Sequence, residues 1–169
     1  MNLKVQDVSI DANLVHFKVA QAVKKGITSH KLGETGFKAN VSGSYFNALD
    51  SVNDTFKFLE DAINSTGLNT PERKYLTIGI NANGQDSFLE EQNRYDMEGP
   101  KNLFDQGMLA DYFLKMSNDH PLLAYIEDPC AEGDIVGYQK IMRRFKDTQV
   151  KIGVKNWFGS DLEGMQEYT

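Results

Sequence analysis

Leu122-Leu123-Ala124-Tyr125-Ile126 is an apolar run of strand length that ends on Glu127, Asp128 and Pro129. Two adjacent carboxylates directly behind such a run are costly to hold unless water, a metal ion or a cationic side chain receives them. In an α/β barrel, the C-terminal end of a buried parallel strand is where catalytic groups sit. The plain alternative is an acidic start signal for the next helix. Other chemistry-bearing residues are dispersed. His16, His30 and His120 lack metal-ligand spacing. Cys130 follows Pro129 with no neighbouring histidine to activate it. No glycine-rich phosphate cradle occurs.

Strands and helices must bring these acids into place. Asp11 is suited to cap a helix carrying Leu14, Val15, Val19, Ala22 and Val23, with Gly26 as its stop. Leu49, Val52, Phe56, Leu59 and Ile63 form a second helical stripe, ended by Gly67. Leu76, Ile78 and Ile80 read as a strand. Residues 83–103 are polar and carry Gly84, Gly99 and Pro100, which predicts an excursion or small hairpin. Asp105 caps a helix with Met108, Leu109, Tyr112, Phe113 and Met116, ending near His120-Pro121. Beyond the strand at 122–126, Ile135, Tyr138, Ile141, Met142 and Phe145 make a third stripe. Val150, Ile152 and Val154 alternate as a strand, and Leu162 to Tyr168 begin a further helix. Residues 1–10 read as an N-terminal arm. Alternation of this kind predicts an α/β fold with parallel strands.

The chain has 169 residues, 40% hydrophobic and 25% charged, which fits one ordinary globular module over 1–169. A net charge of −6 argues against nucleic acid, whose binding needs a basic face. No apolar run has the length of a membrane span, and the N-terminus has no signal-peptide core. The single cysteine forms no internal disulfide, which points to a reducing, cytoplasmic setting. Three or four strand–helix units fall short of a closed eight-unit barrel, which takes roughly 200 residues or more. Either the sheet is a small open layer or another chain completes it.

Three segments together resemble the enolase family. Ile126-Glu127-Asp128-Pro129 is similar to its Ile-Glu-Asp-Pro element. Gly33-Glu34-Thr35-Gly36-Phe37-Lys38-Ala39-Asn40 resembles its Asp-Glu-Gly-Gly-Phe-Ala-Pro-Asn loop. Ile78-Gly79-Ile80-Asn81-Ala82, followed by Phe88 and Arg94-Tyr95-Asp96, resembles the strand that leads through Gly-Met/Leu-Asp-x-Ala to Glu-Phe and Lys-Tyr-Asp. The resemblance runs from about Val15 to Tyr168. It implies a partial enolase-type (β/α) barrel.

Enolases dehydrate 2-phosphoglycerate, and Mg²⁺ ions stabilise the enediolate formed on proton loss. Three carboxylates on successive strands hold the metal in the family. By the resemblance Glu127 retains the second of these positions. Asn81 stands at the first, and Lys155, or Asn156 with a one-residue slip, stands at the third. Asp128 is a neighbour of the ligand, and Asp161 lies well past the strand end. Glu34 matches the loop acid that assists departure of the hydroxyl. The base lysine and the phosphate-binding residues belong to later strands of the family than those matched here.

The resemblance with these substitutions implies a catalytically degenerate module without a cofactor. Its expected role is a structural or docking subunit, working with protein partners in a homo- or hetero-oligomer. Such modules suggest a cytoplasmic home that extends to ciliary or axonemal structures. The alternative is a Mg²⁺-dependent 2-phosphoglycerate dehydratase completed by another chain. A third reading keeps affinity for a phosphorylated acid, to which Lys38 and Lys155 would contribute. On the degenerate reading, Lys155 replaces the metal as counter-charge to Glu127.

Overall fold

The computed structural model describes residues 11–29, 37–39, 45–47, 49, 51–71, 74–97 and 102–155. The chain divides between Thr77 and Ile78 into two compact units. The N-terminal arm, the loop acid Glu34 and the expected helix at 162–168 lie outside the described residues.

In the first unit, α1 (Ala12–Ser29) starts where Asp11 Oδ1 accepts the Asn13 N–H at 2.9 Å. Its buried residues Val15, Val19 and Ile27 recur at helical spacing. Gly26 does not stop the helix, which continues to Ser29. This glycine serves packing instead: a Cβ there would lie 3.0 Å from the Phe58 ring. A short antiparallel pair follows, β1 (Phe37–Ala39) with β2 (Tyr45–Asn47). α2 (Val52–Ser65) is capped by Ser51, whose Oγ accepts the Asp54 N–H at 3.0 Å. It buries Phe56, Ala62 and Ile63. Past its end, Gly67 takes φ 66°, the left-handed turn that glycine adopts without a Cβ clash. Asn69 then fixes the outgoing chain, donating to the Leu76 carbonyl at 3.0 Å and accepting the Leu76 N–H at 2.8 Å.

The second unit carries the predicted alternation. It opens with β3 (Ile78–Asn81) and a one-turn helix α3 (Gly84–Ser87). Then come β4 (Phe88–Leu89), a 3-10 turn at Glu90–Gln92, β5 (Arg94–Asp96) and β6 (Leu103–Phe104). The excursion expected at 83–103 is therefore a three-stranded antiparallel sheet ordered β4-β5-β6, turned at Asn93 with φ 50°. α4 (Gln106–Asp119) starts on Asp105, whose Oδ1 accepts Gly107 N–H at 2.7 Å and Met108 N–H at 2.9 Å. His120 ends it, donating its N–H to the Met116 carbonyl at 3.0 Å. The remaining elements are β7 (Leu123–Glu127), α5 (Ile135–Phe145) and β8 (Lys151–Gly153).

β3, β7 and β8 form a parallel sheet with β7 in the middle. Ile126 on β7, Leu109 and Phe113 on α4, and Ile141 and Phe145 on α5 are buried. Each such aliphatic or aromatic side chain contributes about 1.5–3 kcal/mol on burial. An exposed Arg144–Asp111 pair at 2.7 Å links α4 and α5 and adds little, because solvent screens it. The fold class is α/β, with parallel strands alternating with helices. No helix among the described residues is long and apolar enough to cross a membrane.

Candidate functional site at the strand ends

Register places the sequence-selected positions side by side. Asn81 pairs with Glu127 across β3 and β7, and Glu127 pairs with Gly153 across β7 and β8. Adjacent strands are about 4.8 Å apart, so three C-terminal strand ends lie in one row. Asn81 is exposed and Glu127 half-buried. The Asn81 amide oxygen accepts the Asn83 N–H at 2.9 Å, a local turn that commits it to its own backbone. Asn83, at φ 46°, enters α3 and donates its amide to Asp86.

Glu127 and Asp128 turn to different tasks. The Glu127 Oε2 accepts the Tyr125 hydroxyl at 3.0 Å, as two residues on one face of a strand can. Burial first, and that hydrogen bond second, raise the Tyr125 phenol above its ordinary pKa. Asp128 is buried, 3% exposed, and sits in the left-handed region at φ 46°, which Asp tolerates better than most residues. Its Oδ1 accepts the Lys155 N–H at 2.7 Å, its N–H goes to the Gly153 carbonyl at 3.0 Å, and its carbonyl takes the Gly84 N–H at 2.8 Å. Asp128 is thus a latch joining the exits of all three parallel strands.

Behind the row is a buried polar seam. Tyr95, on β5 and fully buried, donates its hydroxyl to Asp134 Oδ2 at 2.5 Å and accepts the Ala131 N–H at 3.0 Å. The other carboxylate oxygen of Asp134 caps α5, accepting the Gly137 N–H at 2.9 Å. Desolvation pushes Tyr95 far up, and the Asp134 bond adds to it, so the phenol is always a donor. Cys130 is 3% exposed, and burial raises its thiol well above the usual range, the reverse of a reactive cysteine.

The family model for the enolase C-terminal TIM barrel domain matches residues 10–162. This chain belongs to the enolase C-terminal barrel family. It is 22% identical over 144 residues to the enolase of Metallosphaera sedula, covering 85% of this chain and 33% of that protein. To enolase 2 of Lactobacillus johnsonii it is 25% identical over 125 residues, covering 73% of this chain and 28% of that protein. To the enolase of Methanococcus vannielii it is 22% identical over 130 residues, covering 77% and 29% respectively. The chain therefore spans about a third of the length of the enolases it matches.

Mg²⁺ seeks several anionic oxygens in octahedral array. At the row of strand ends only Glu127 offers one. Asn81 presents an amide oxygen already hydrogen-bonded, and β8 ends on Gly153, with exposed Lys155 two residues on. Among the described residues no three His, Cys, Asp or Glu side chains are placed to share a metal. This donor set does not fit the enolase metal. Glu34, Asn156 and Asp161 lie outside the described residues.

The expected Lys155–Glu127 ion pair is corrected by the geometry. Lys155 contributes its backbone N–H to Asp128, whereas the partner of Glu127 among the described residues is Tyr125. The chain path explains this: Lys155 lies past the end of β8, and Gly153 is the residue registered with Glu127. Sequence reasoning passed over Tyr125, Gly153 and Tyr95. The first two carried a usable signal. Tyr125 is two residues from Glu127, and the alternation at 150–154 puts Gly153 on the face opposite Ile152.

Proposed function

We propose that this chain is a catalytically silent enolase-like module that uses no cofactor. Its role is that of a structural or docking subunit among protein partners. The observation that carries this reading is the single carboxylate in the row of strand ends, already hydrogen-bonded by a phenol. A lyase stabilising an enediolate needs concentrated positive charge there, and one engaged carboxylate is a poor anchor for it. The dense bonding behind the row supports retention of a scaffold, since a fold outlives any one site grafted on it.

The rival reading is a 2-phosphoglycerate dehydratase completed by another chain, and the names of the matched enolases favour it. One assay separates them. The purified 169-residue chain, with Mg²⁺ and 2-phosphoglycerate, is expected to form no phosphoenolpyruvate, either alone or mixed with a chain that carries the later strands of an enolase barrel. Metal-dependent turnover would replace the silent reading by the lyase. Light scattering tests the docking role, which requires self-association or a captured partner. A cytoskeletal or ciliary home is part of the proposal, and a tagged chain that never localises there removes it.

A further inference from the structure

Tyr125 and Gly153 are shaped to each other. The Tyr125 ring starts on the central strand, beside Gly79 on one side and Lys151 on the other. It leans toward β8, so that its hydroxyl stands over Gly153, the register partner of Glu127. A Cβ at Gly153 would fall 2.0 Å from the Tyr125 Oη and 2.5 Å from its Cζ, so any side chain there would push the ring out of this position. At Gly79 a Cβ would meet the ring at 3.4 Å, an ordinary contact. Gly153 is not among the glycines in the left-handed region, so space over the residue, and not backbone freedom, is what the ring requires of it.

We infer that the Tyr125 hydroxyl, seated in the recess left by Gly153, is the resident partner of Glu127 and closes that carboxylate to divalent cations. The inference rests on the silent-module reading and names the residue pair that accomplishes it. A phenol is suited to the task. It donates one hydrogen bond to the carboxylate without bringing a second charge that must be desolvated. The hydroxyl occupies one of the lone-pair sites of Oε2, which a cation must take from it to bind from that direction, and the ring lies over Gly153 on the β8 side.

The test is Mn²⁺ titration, followed by the loss of the free-ion paramagnetic signal, on the full chain and three variants. Asn81→Asp supplies a second carboxylate, and Asn81→Asp/Tyr125→Phe also removes the phenol hydroxyl. The double variant is expected to bind Mn²⁺ about tenfold tighter than Asn81→Asp, the weight of one hydrogen bond to a charged group. Asn81→Asp/Gly153→Ala should reach a similar gain by expelling the ring, and it supports the recess even if the phenylalanine variant folds poorly. Equal behaviour of Asn81→Asp and both double variants, whether all bind or none does, overturns the inference and leaves the silent-module reading standing. Tight Mn²⁺ binding by the parent chain overturns both.

Discussion

The mouth of the parallel sheet and the seam behind it are built from adjacent residues under opposite rules. At the mouth, Asn81, Glu127 and Gly153 each end a strand, and among the described residues the side-chain bonds of Asn81 and Glu127 reach no farther than two residues along the chain. In the seam, Asp128, Ala131, Asp134 and Tyr95 join β3, β5, β7, β8 and α5 through bonds spanning up to 39 residues. Glu127 and Asp128 are neighbours, yet substitution at one should be cheap and at the other costly. The seam holds the fold and the mouth holds whatever chemistry there is, so the second can change while the first stays.

The comparison breaks first at Gly84. A Cβ there would lie 2.6 Å from the Cys130 carbonyl carbon and 2.8 Å from its Cα and N, all backbone atoms that cannot swing aside. Gly84→Ala should cost about 3 kcal/mol in urea unfolding, at the upper end of ordinary overpacking. A loss below about 1 kcal/mol would mean the turn after β7 yields and the seam is softer than its bonds suggest. Tyr95→Phe comes next. It keeps the ring but strands the Ala131 N–H and one Asp134 oxygen, for about 2 kcal/mol. A near-neutral Tyr95→Phe would show that water replaces the hydroxyl.

Asp105 offers a smaller, pH-dependent effect away from both regions. Its hydrogen bond from Met108 N–H, with that from Gly107 and the charges of Lys140 and Arg94, holds its carboxyl below the usual range against opposing desolvation. A carboxyl depressed in the folded state stabilises above its unfolded pKa, and that contribution fades as pH falls through the folded one. Asp105→Ala should cost about 1 kcal/mol at neutral pH, as lost helix caps do. The difference from the parent should shrink in acid, and a constant difference down to low pH would refute the assignment. Lys155→Met should change stability least, within about 0.5 kcal/mol, because its bond among the described residues is made by its backbone N–H. A large loss there would revive the ion pair with Glu127.

Much of this architecture was written in local patterns. The caps at Asp11 and Asp105, the stripes of α2, α4 and α5, and the three strands all follow from short-range periodicity and side-chain chemistry. Gly26 misled because a glycine near a helix end looks the same whether it terminates the helix or admits a neighbouring ring. The row Asn81–Glu127–Gly153 was only half legible. Family motifs located its first two members, but the third depended on strand register, which one extra residue shifts. The Tyr95–Asp134 contact, 39 residues apart, has no local signature.

The latch at Asp128 also sets a clock. Backbone amides of turns usually exchange with solvent long before those of a sheet, because turns open alone. Here Ala82 and Gly84 donate to the carbonyls of Glu127 and Asp128, Asp128 to Gly153, Ala131 to Tyr95, and Lys155 to the Asp128 side chain. Deuterium should therefore enter these five turn positions at nearly the rate of the β7 core. Anything that needed this turn to open would have to wait for the sheet to open with it.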